Sequence, residues 1–219
     1  MRAATLVAAV ACVLAPPARA DFQLWSEAGV SAEVRDGLRL GFDQEVRMDR
    51  GASQLDVVRP AAWGSWRGTG WLSVRLGYRY EIEPHFTKGA DYADGWHEGW
   101  VDAALRAKVE RVRASLRLRF EEKAGRPWTA DGELVRSQVL RPRVALVRPV
   151  WRMLSLEGSG ELFLRLADPD GLLDKWRASA GVALSLGPHE LGIRYLFEQP
   201  FTPGDERAHV LGLSYHWAP

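Results

Sequence analysis

The stretch from Trp71 to Glu83, "WLSVRLGYRYEIE", alternates residue by residue, and no other feature narrows the possible folds as far. Leu72, Val74, Leu76, Tyr78, Tyr80 and Ile82 fall on one face of an extended chain, and Ser73, Arg75, Gly77, Arg79, Glu81 and Glu83 on the other. A period of two marks a strand with one apolar and one charged face. Two kinds of protein are built from such strands. A soluble sheet turns the apolar face into a core. An outer-membrane barrel turns it out to lipid and lines a wet interior with the charges.

The pattern recurs at 38–48, 111–121, 175–186, 189–198 and 209–217. Noisier segments at 22–34, 57–66, 96–106, 134–147 and 153–166 also read as strands. Pro60 and Pro142 lie inside two of them. Proline cannot donate to a ladder, so each implies a bulge or a locally unpaired site. The total is about eleven segments, which predicts an all-β, antiparallel, up-and-down transmembrane barrel of about 10–12 strands. Residues 101–116 also fit a helical spacing and use helix-favouring residues. The clean alternation of 111–121 favours a hairpin there.

The connectors alternate in length. Short ones fall near 35–37, 67–70, 107–110, 148–152 and 187–189. Longer ones, rich in Gly, Pro, Asp and Ser, fall at 49–56, 84–95, 122–133, 167–174 and 199–207. An up-and-down barrel has this form, with tight turns on one rim and loops on the other. Most segments run about 10–13 residues, against roughly 5–6 for soluble strands and 9–11 for a tilted membrane-spanning strand. Ten tryptophans among 219 residues is a high content. Trp63, Trp66 and Trp71 surround one turn, Trp151 another, and Trp176 and Trp217 sit at segment ends, which suits the aromatic girdles of a membrane barrel.

The first twenty residues indicate the compartment. Arg2, the apolar run from Ala3 to Leu14, and "APPARA" with small residues at Ala18 and Ala20 read as a secretory signal on residues 1–20, cleaved before Asp21. Residues 21–219 are then one domain. Lipoprotein processing before Cys12 is the weaker alternative, because it leaves a very short apolar region. Cys12 is the only cysteine, so the mature chain has no disulfide framework, thiol nucleophile or zinc–thiolate site. Loss of Arg2 and Arg19 takes the net charge from +1 to one below neutral. No basic block stands apart from acidic residues, and a nucleic-acid partner is not implied.

"DFQLWSEAGV" after the signal, "LRLGFDQEVRMD", "WLSVRLGYRYE" and the closing "HVLGLSYHW" resemble an uncharacterised family of bacterial outer-membrane barrels, catalogued as a domain of unknown function. The resemblance covers most of the mature chain and implies a Gram-negative outer membrane. It implies no activity, no cofactor and no site residues. The partners of such a barrel are outer-membrane lipid and the barrel-assembly machinery.

No catalytic constellation stands out. The barrel phospholipases use serine, histidine and an orienting asparagine, and the chain contains no asparagine. His209 and Ser214 lie on the last strand with opposite parity. His85 and His97 lie near Asp91, Asp94 and Glu98, and "DPDGLLD" from Asp168 to Asp174 has spaced carboxylates. Both read as solvated loop polars rather than metal sites.

The charged faces are richer. Arg75, Arg79, Glu81, Arg113, Arg117, Arg119, Glu157, Glu161 and Arg194 are the candidate lumen-lining residues, with Arg39, Asp43, Glu45, Arg47, Arg177 and Glu190 on the same faces. They would form either a charged pore constriction or a cross-strand ion-pair network that fills the bore. The expected function is a narrow channel or a structural barrel, and the chain is not expected to be an enzyme. The alternatives are a lipid-modifying outer-membrane enzyme and a secreted soluble β-barrel binding module.

Overall fold

A computed structural model describes residues 21–49, 51–68, 70–87, 90–125, 134–166, 172–202 and 206–219. Residues 1–20, expected to be a signal, lie outside them. Eleven strands follow one another around a closed barrel: β1 (Asp21–Arg35), β2 (Leu38–Asp49), β3 (Gln54–Arg67), β4 (Leu72–Thr87), β5 (Ala90–Val109), β6 (Val112–Gly125), β7 (Val135–Pro149), β8 (Leu154–Arg165), β9 (Leu173–Leu186), β10 (His189–Pro200) and β11 (Ala208–Trp217). A 12-residue strand such as β2, rising roughly 3.4 Å per residue and tilted about 40°, climbs about 30 Å.

Each strand pairs antiparallel with its sequence neighbour, and the one departure is the closing seam. An odd strand count forces β1 and β11 to run parallel, in register from Asp21↔Ala208 to Val30↔Trp217. Both strands therefore begin at the rim of the longer connections, and the chain ends at the rim of the short turns.

The register fixes which face meets what. Arg75, Arg79 and Glu81 of β4 stand opposite Asp102, Glu98 and Trp96 of β5, and this row points inward. Leu76 and Tyr78 point outward and are 66% and 49% exposed. The same holds for Leu116, Leu118, Val144, Leu146 and Ile193. Glu81, by contrast, is completely buried. The barrel is apolar outside and charged inside, the reverse of a soluble sheet.

The helix-compatible stretch is the β5–β6 hairpin, turning at Glu110 with φ 51°. Pro60 and Pro142 each open the ladder on one side without a register shift. The β3–β4 pairing passes from Val58↔Ile82 to Ala61↔Arg79, and β7–β8 from Leu140↔Leu164 to Arg143↔Glu161. The bulges lie elsewhere, at Glu33/Arg35, Arg47/Met48 and Phe163/Leu164.

The region expected to be a long loop over 84–95 is instead a tight hairpin. β4 runs to Thr87, β5 starts at Ala90, and pairing continues from Pro84↔Ala93 to Thr87↔Ala90. A hairpin ladder satisfies its own backbone and needs no apolar side chains, so it extends past the point where the hydrophobic alternation stops. Similarly, β6 reaches Gly125, while 126–133 lies outside the described residues.

Candidate functional site: the charged lumen

Inward-facing side chains of the described residues border two polar cavities. The larger, about 760 Å³, lies toward the rim of the longer connections and is lined by fourteen Lys and Arg and seven Asp and Glu side chains. Glu81, Asp102 and Glu198 pair with some of these cations from behind the lining. The smaller cavity, about 560 Å³, lies toward the short turns. Both are bordered by Glu27, Asp43 and Arg75, so the two chambers meet at those three residues.

A belt of ion pairs crosses the wall from β5 to β10. Arg119 forks onto Asp102 (2.5 and 2.8 Å) and reaches Glu121 (3.2 Å). Arg141 bridges Glu121 (2.6 Å) and Glu161 (3.1 Å). Glu161 also accepts from Arg117 at 2.5 Å and lies 3.8 Å from Arg177. Arg177 and Lys175 then share Glu198. A second chain runs along β2, β3, β4 and β6: Glu45 pairs with Arg47 (2.7 Å) and Arg59 (3.2 Å), and the buried Glu81 is held between Arg59 and Lys123. Buried charges persist only when paired in this way.

Aromatic rings stack between the guanidinium groups. Arg47 lies 3.8 Å and Arg177 5.1 Å from the Trp25 ring. Arg79 and Arg119 both approach Trp100, and Arg75 lies 4.1 Å over Trp63. The Trp63 ring covers Gly41, and the Trp100 ring covers Gly77; a Cβ at either glycine would collide with the indole. The expectation of Trp63 in an outer girdle is therefore corrected. It is 7% exposed, faces the lumen, and donates to Asp43 at 2.6 Å. Its parity with Arg59 and Ser65 places it on the inner row, and the facing Gly41 makes room for it. Trp66, Trp71, Trp151 and Trp217 are exposed at the short-turn rim, and Trp66 also borders the smaller chamber. Trp176, Phe197 and His209 form an outward aromatic cluster nearer the other rim.

Of the residues anticipated in the lumen, Arg75, Arg79, Arg117, Arg119, Glu161 and Arg194 line the larger chamber. Glu81 is sealed in the wall behind it. Arg113 and Glu157 sit on inward positions at the exposed short-turn rim, outside both chambers. Arg59, Glu98, Lys123, Arg141, Arg143 and Lys175 also line the larger chamber and were not anticipated. Arg59, Arg141 and Arg143 flank the two prolines, where the alternation reads as noise. His97 faces outward, 2.5 Å from Tyr78, while Asp94 and Glu98 are buried on the inner row, so the wall separates His97 from these two carboxylates; the side chains of His85 and Asp91 lie outside the described residues. Asp174, in the second acidic run, pairs with Arg165 at 2.6 Å. Ser31 and His216, which had drawn no attention, hydrogen-bond at 2.9 Å in the smaller chamber. No sequence signal could pair them, since they meet only where β11 closes on β1.

The fold and lumen define a closed β-barrel with an apolar outer wall and a charged interior. The chain belongs to the family described as "Protein of unknown function (DUF2490)", whose model matches residues 22–207. No match to a curated protein was found. Among solved structures, the chain is similar to the β-domain of the Bordetella autotransporter BrkA, at 14% sequence identity and a TM-score of 0.47, over 85% of this chain and 84% of that one.

Proposed function

We propose that this protein resides in the bacterial outer membrane, inserted there by the barrel-assembly machinery, and forms a narrow channel for small anionic solutes. The apolar outer wall supports the location. Leucines exposed over a strand climb of about 30 Å match a hydrocarbon core of about that thickness, and aromatic side chains flank the band at both rims. The observation that carries the channel reading is the pair of polar chambers meeting at Glu27, Asp43 and Arg75. Asp43 is tied to Trp63 and Arg75 is stacked on the same ring, so the junction is held rather than plugged by a loose side chain. The surplus of cations in the larger chamber favours anions.

The test is single-channel recording of the mature protein, starting at Asp21, in planar bilayers under a salt gradient. Small, anion-favouring unitary currents are expected. A protein that inserts and stays silent is a structural barrel, and a protein recovered soluble from the periplasm removes the membrane reading altogether.

A second reading, a hydrolase working inside the lumen, rests on one observation. Ser31 Oγ faces His216 Nε2 at 2.9 Å, and the Asp43 carboxylate and His216 Nδ1 both crowd the space over Gly29. Ser31 and His216 stand as a nucleophile–base pair, with Asp43 nearby as the acid that acyl transfer would need. A fluorophosphonate probe on the folded protein decides it: failure to label Ser31 ends this reading.

A further inference from the structure

The cross-strand pairing of β6 with β7 places two arginines opposite two arginines. Arg119 stands against Arg141, and Arg117 against Arg143. Like charges in facing positions repel and persist only if something negative lies between them. For the first pair that something is Glu121, which accepts from Arg119 at 3.2 Å and from Arg141 at 2.6 Å. For the second pair the protein supplies only half of what is needed. Arg117 reaches Glu161 through Nη2 at 2.5 Å. Glu161 is already engaged by both Nε and Nη2 of Arg141. Arg143, although in register with Glu161 on its other side, makes no hydrogen bond or ion pair with any described residue. The Nε groups of both Arg117 and Arg143 are shut off from solvent and have no hydrogen-bond partner.

A buried N–H without an acceptor is costly, and here two such donors belong to residues in facing register on neighbouring strands. Both arginines line the larger chamber. So do Ser159 and Ser179, whose hydroxyls are 2.8 Å apart on the adjoining strands β8 and β9. Arg194 borders the same cavity. Planar guanidinium forks beside hydroxyl groups, within a wall of surplus positive charge, match a small tetrahedral oxyanion. We propose that Arg117 and Arg143 form an oxyanion site that takes a phosphate group, with Ser159 and Ser179 as the neighbouring hydroxyls. The site deepens, and rests on, the reading of the lumen as a path for anionic solutes. A phosphate carried by a free solute and a phosphate on a lipid headgroup share this chemistry, and the site's place inside the wall favours the solute.

The experiment measures binding without conduction. The mature protein is folded in a nonionic, phosphate-free detergent and titrated calorimetrically with inorganic phosphate, pyrophosphate and acetate at constant ionic strength. Saturable binding of phosphate or pyrophosphate, at least tenfold tighter than acetate, is expected. Arg143→Gln should weaken it at least tenfold while the barrel still folds, because Arg143 makes no hydrogen bond or close ion pair with a carboxylate among the described residues. Arg143→Lys keeps the charge but not the fork and should fall in between. Phosphate headgroups are tested by adding phosphatidic acid to the same micelles: competition with inorganic phosphate would move the ligand from solute to lipid and overturn that part of the assignment. No saturable binding, or equal binding by wild type and both variants, overturns the site. A barrel that binds phosphate yet passes no current would retain the site and lose the channel.

Discussion

The wall from β5 to β10 and the seam where β11 closes on β1 hold the barrel together by different means. On the wall, carboxylates and guanidiniums alternate from strand to strand, so that Asp102, Glu121, Glu161 and Glu198 each engage at least one cation. At the seam the inward row mixes small and apolar residues with Glu27 and His216. Trp25, Leu196 and Val210 form a buried cluster, and Gly29, Gly212 and Ser31 occupy neighbouring positions. Among the described residues the one ion pair spanning from β10 to β1, Arg194 to Glu27, is 3.4 Å long and partly exposed at both ends. The difference shows in what lines the two chambers. The paired long side chains of the wall line the larger one, while glycine and serine leave room beside the seam for the smaller. The smaller chamber opens there, along β1, β2 and β3.

The comparison breaks most sharply at Glu161. Removing it as Glu161→Ala leaves Arg117, Arg141 and Arg177 without a shared acceptor. Breaking a buried pair costs about 3–5 kcal/mol, so the midpoint of urea unfolding in lipid vesicles should fall markedly. A cost under 1 kcal/mol would mean that lumen water, not the belt, carries those charges.

The next effect tests the two sides of one strand. On the proposed membrane orientation, Leu116→Arg puts a guanidinium against lipid, at a cost of roughly 2–4 kcal/mol near the bilayer midplane. Insertion into vesicles should weaken, seen as loss of the heat-modifiable gel band. Arg117→Leu, one residue along, should insert well and change the pore current. Normal insertion of Leu116→Arg would place the leucines away from lipid.

On the seam, Ser31→Ala removes a single hydrogen bond to His216, worth about 1 kcal/mol, and should lower stability only slightly. A loss as large as that for Glu161→Ala would mean that the seam is as tightly locked as the wall. The smallest change is expected for Glu27→Gln, about 0–1 kcal/mol for an exposed pair. Its signature should be a reversal potential shifted further toward anions, since Glu27 borders the junction of the two chambers.

Much of this architecture was legible in the order of the residues. Strand period, strand length, the alternation of turns and the inward row of Arg75, Arg79, Arg117 and Arg119 all follow from a side-chain period of two, which is a local property of an extended chain. The β5–β6 hairpin could be separated from a helix on the same ground. Where locality failed, so did the reading. Arg141 and Arg143 were hidden because Pro142 between them interrupts the pattern, although the register carries straight through it. Trp63 reads as a girdle residue by its nearness to a turn, and becomes a lumen residue only when Gly41 is known to face it.

Only the tertiary structure could decide which charges meet. Parity places a side chain inside the barrel, but the partner depends on the register of two strands and on how the ring closes. That closure joins residues as far apart in the chain as Ser31 and His216, and it makes the seam parallel because the strands number eleven. The same register sets Arg117 against Arg143 and leaves their Nε groups without an acceptor, because the two oxygens of Glu161 are already shared by Arg141, Arg177 and the Nη2 of Arg117 itself.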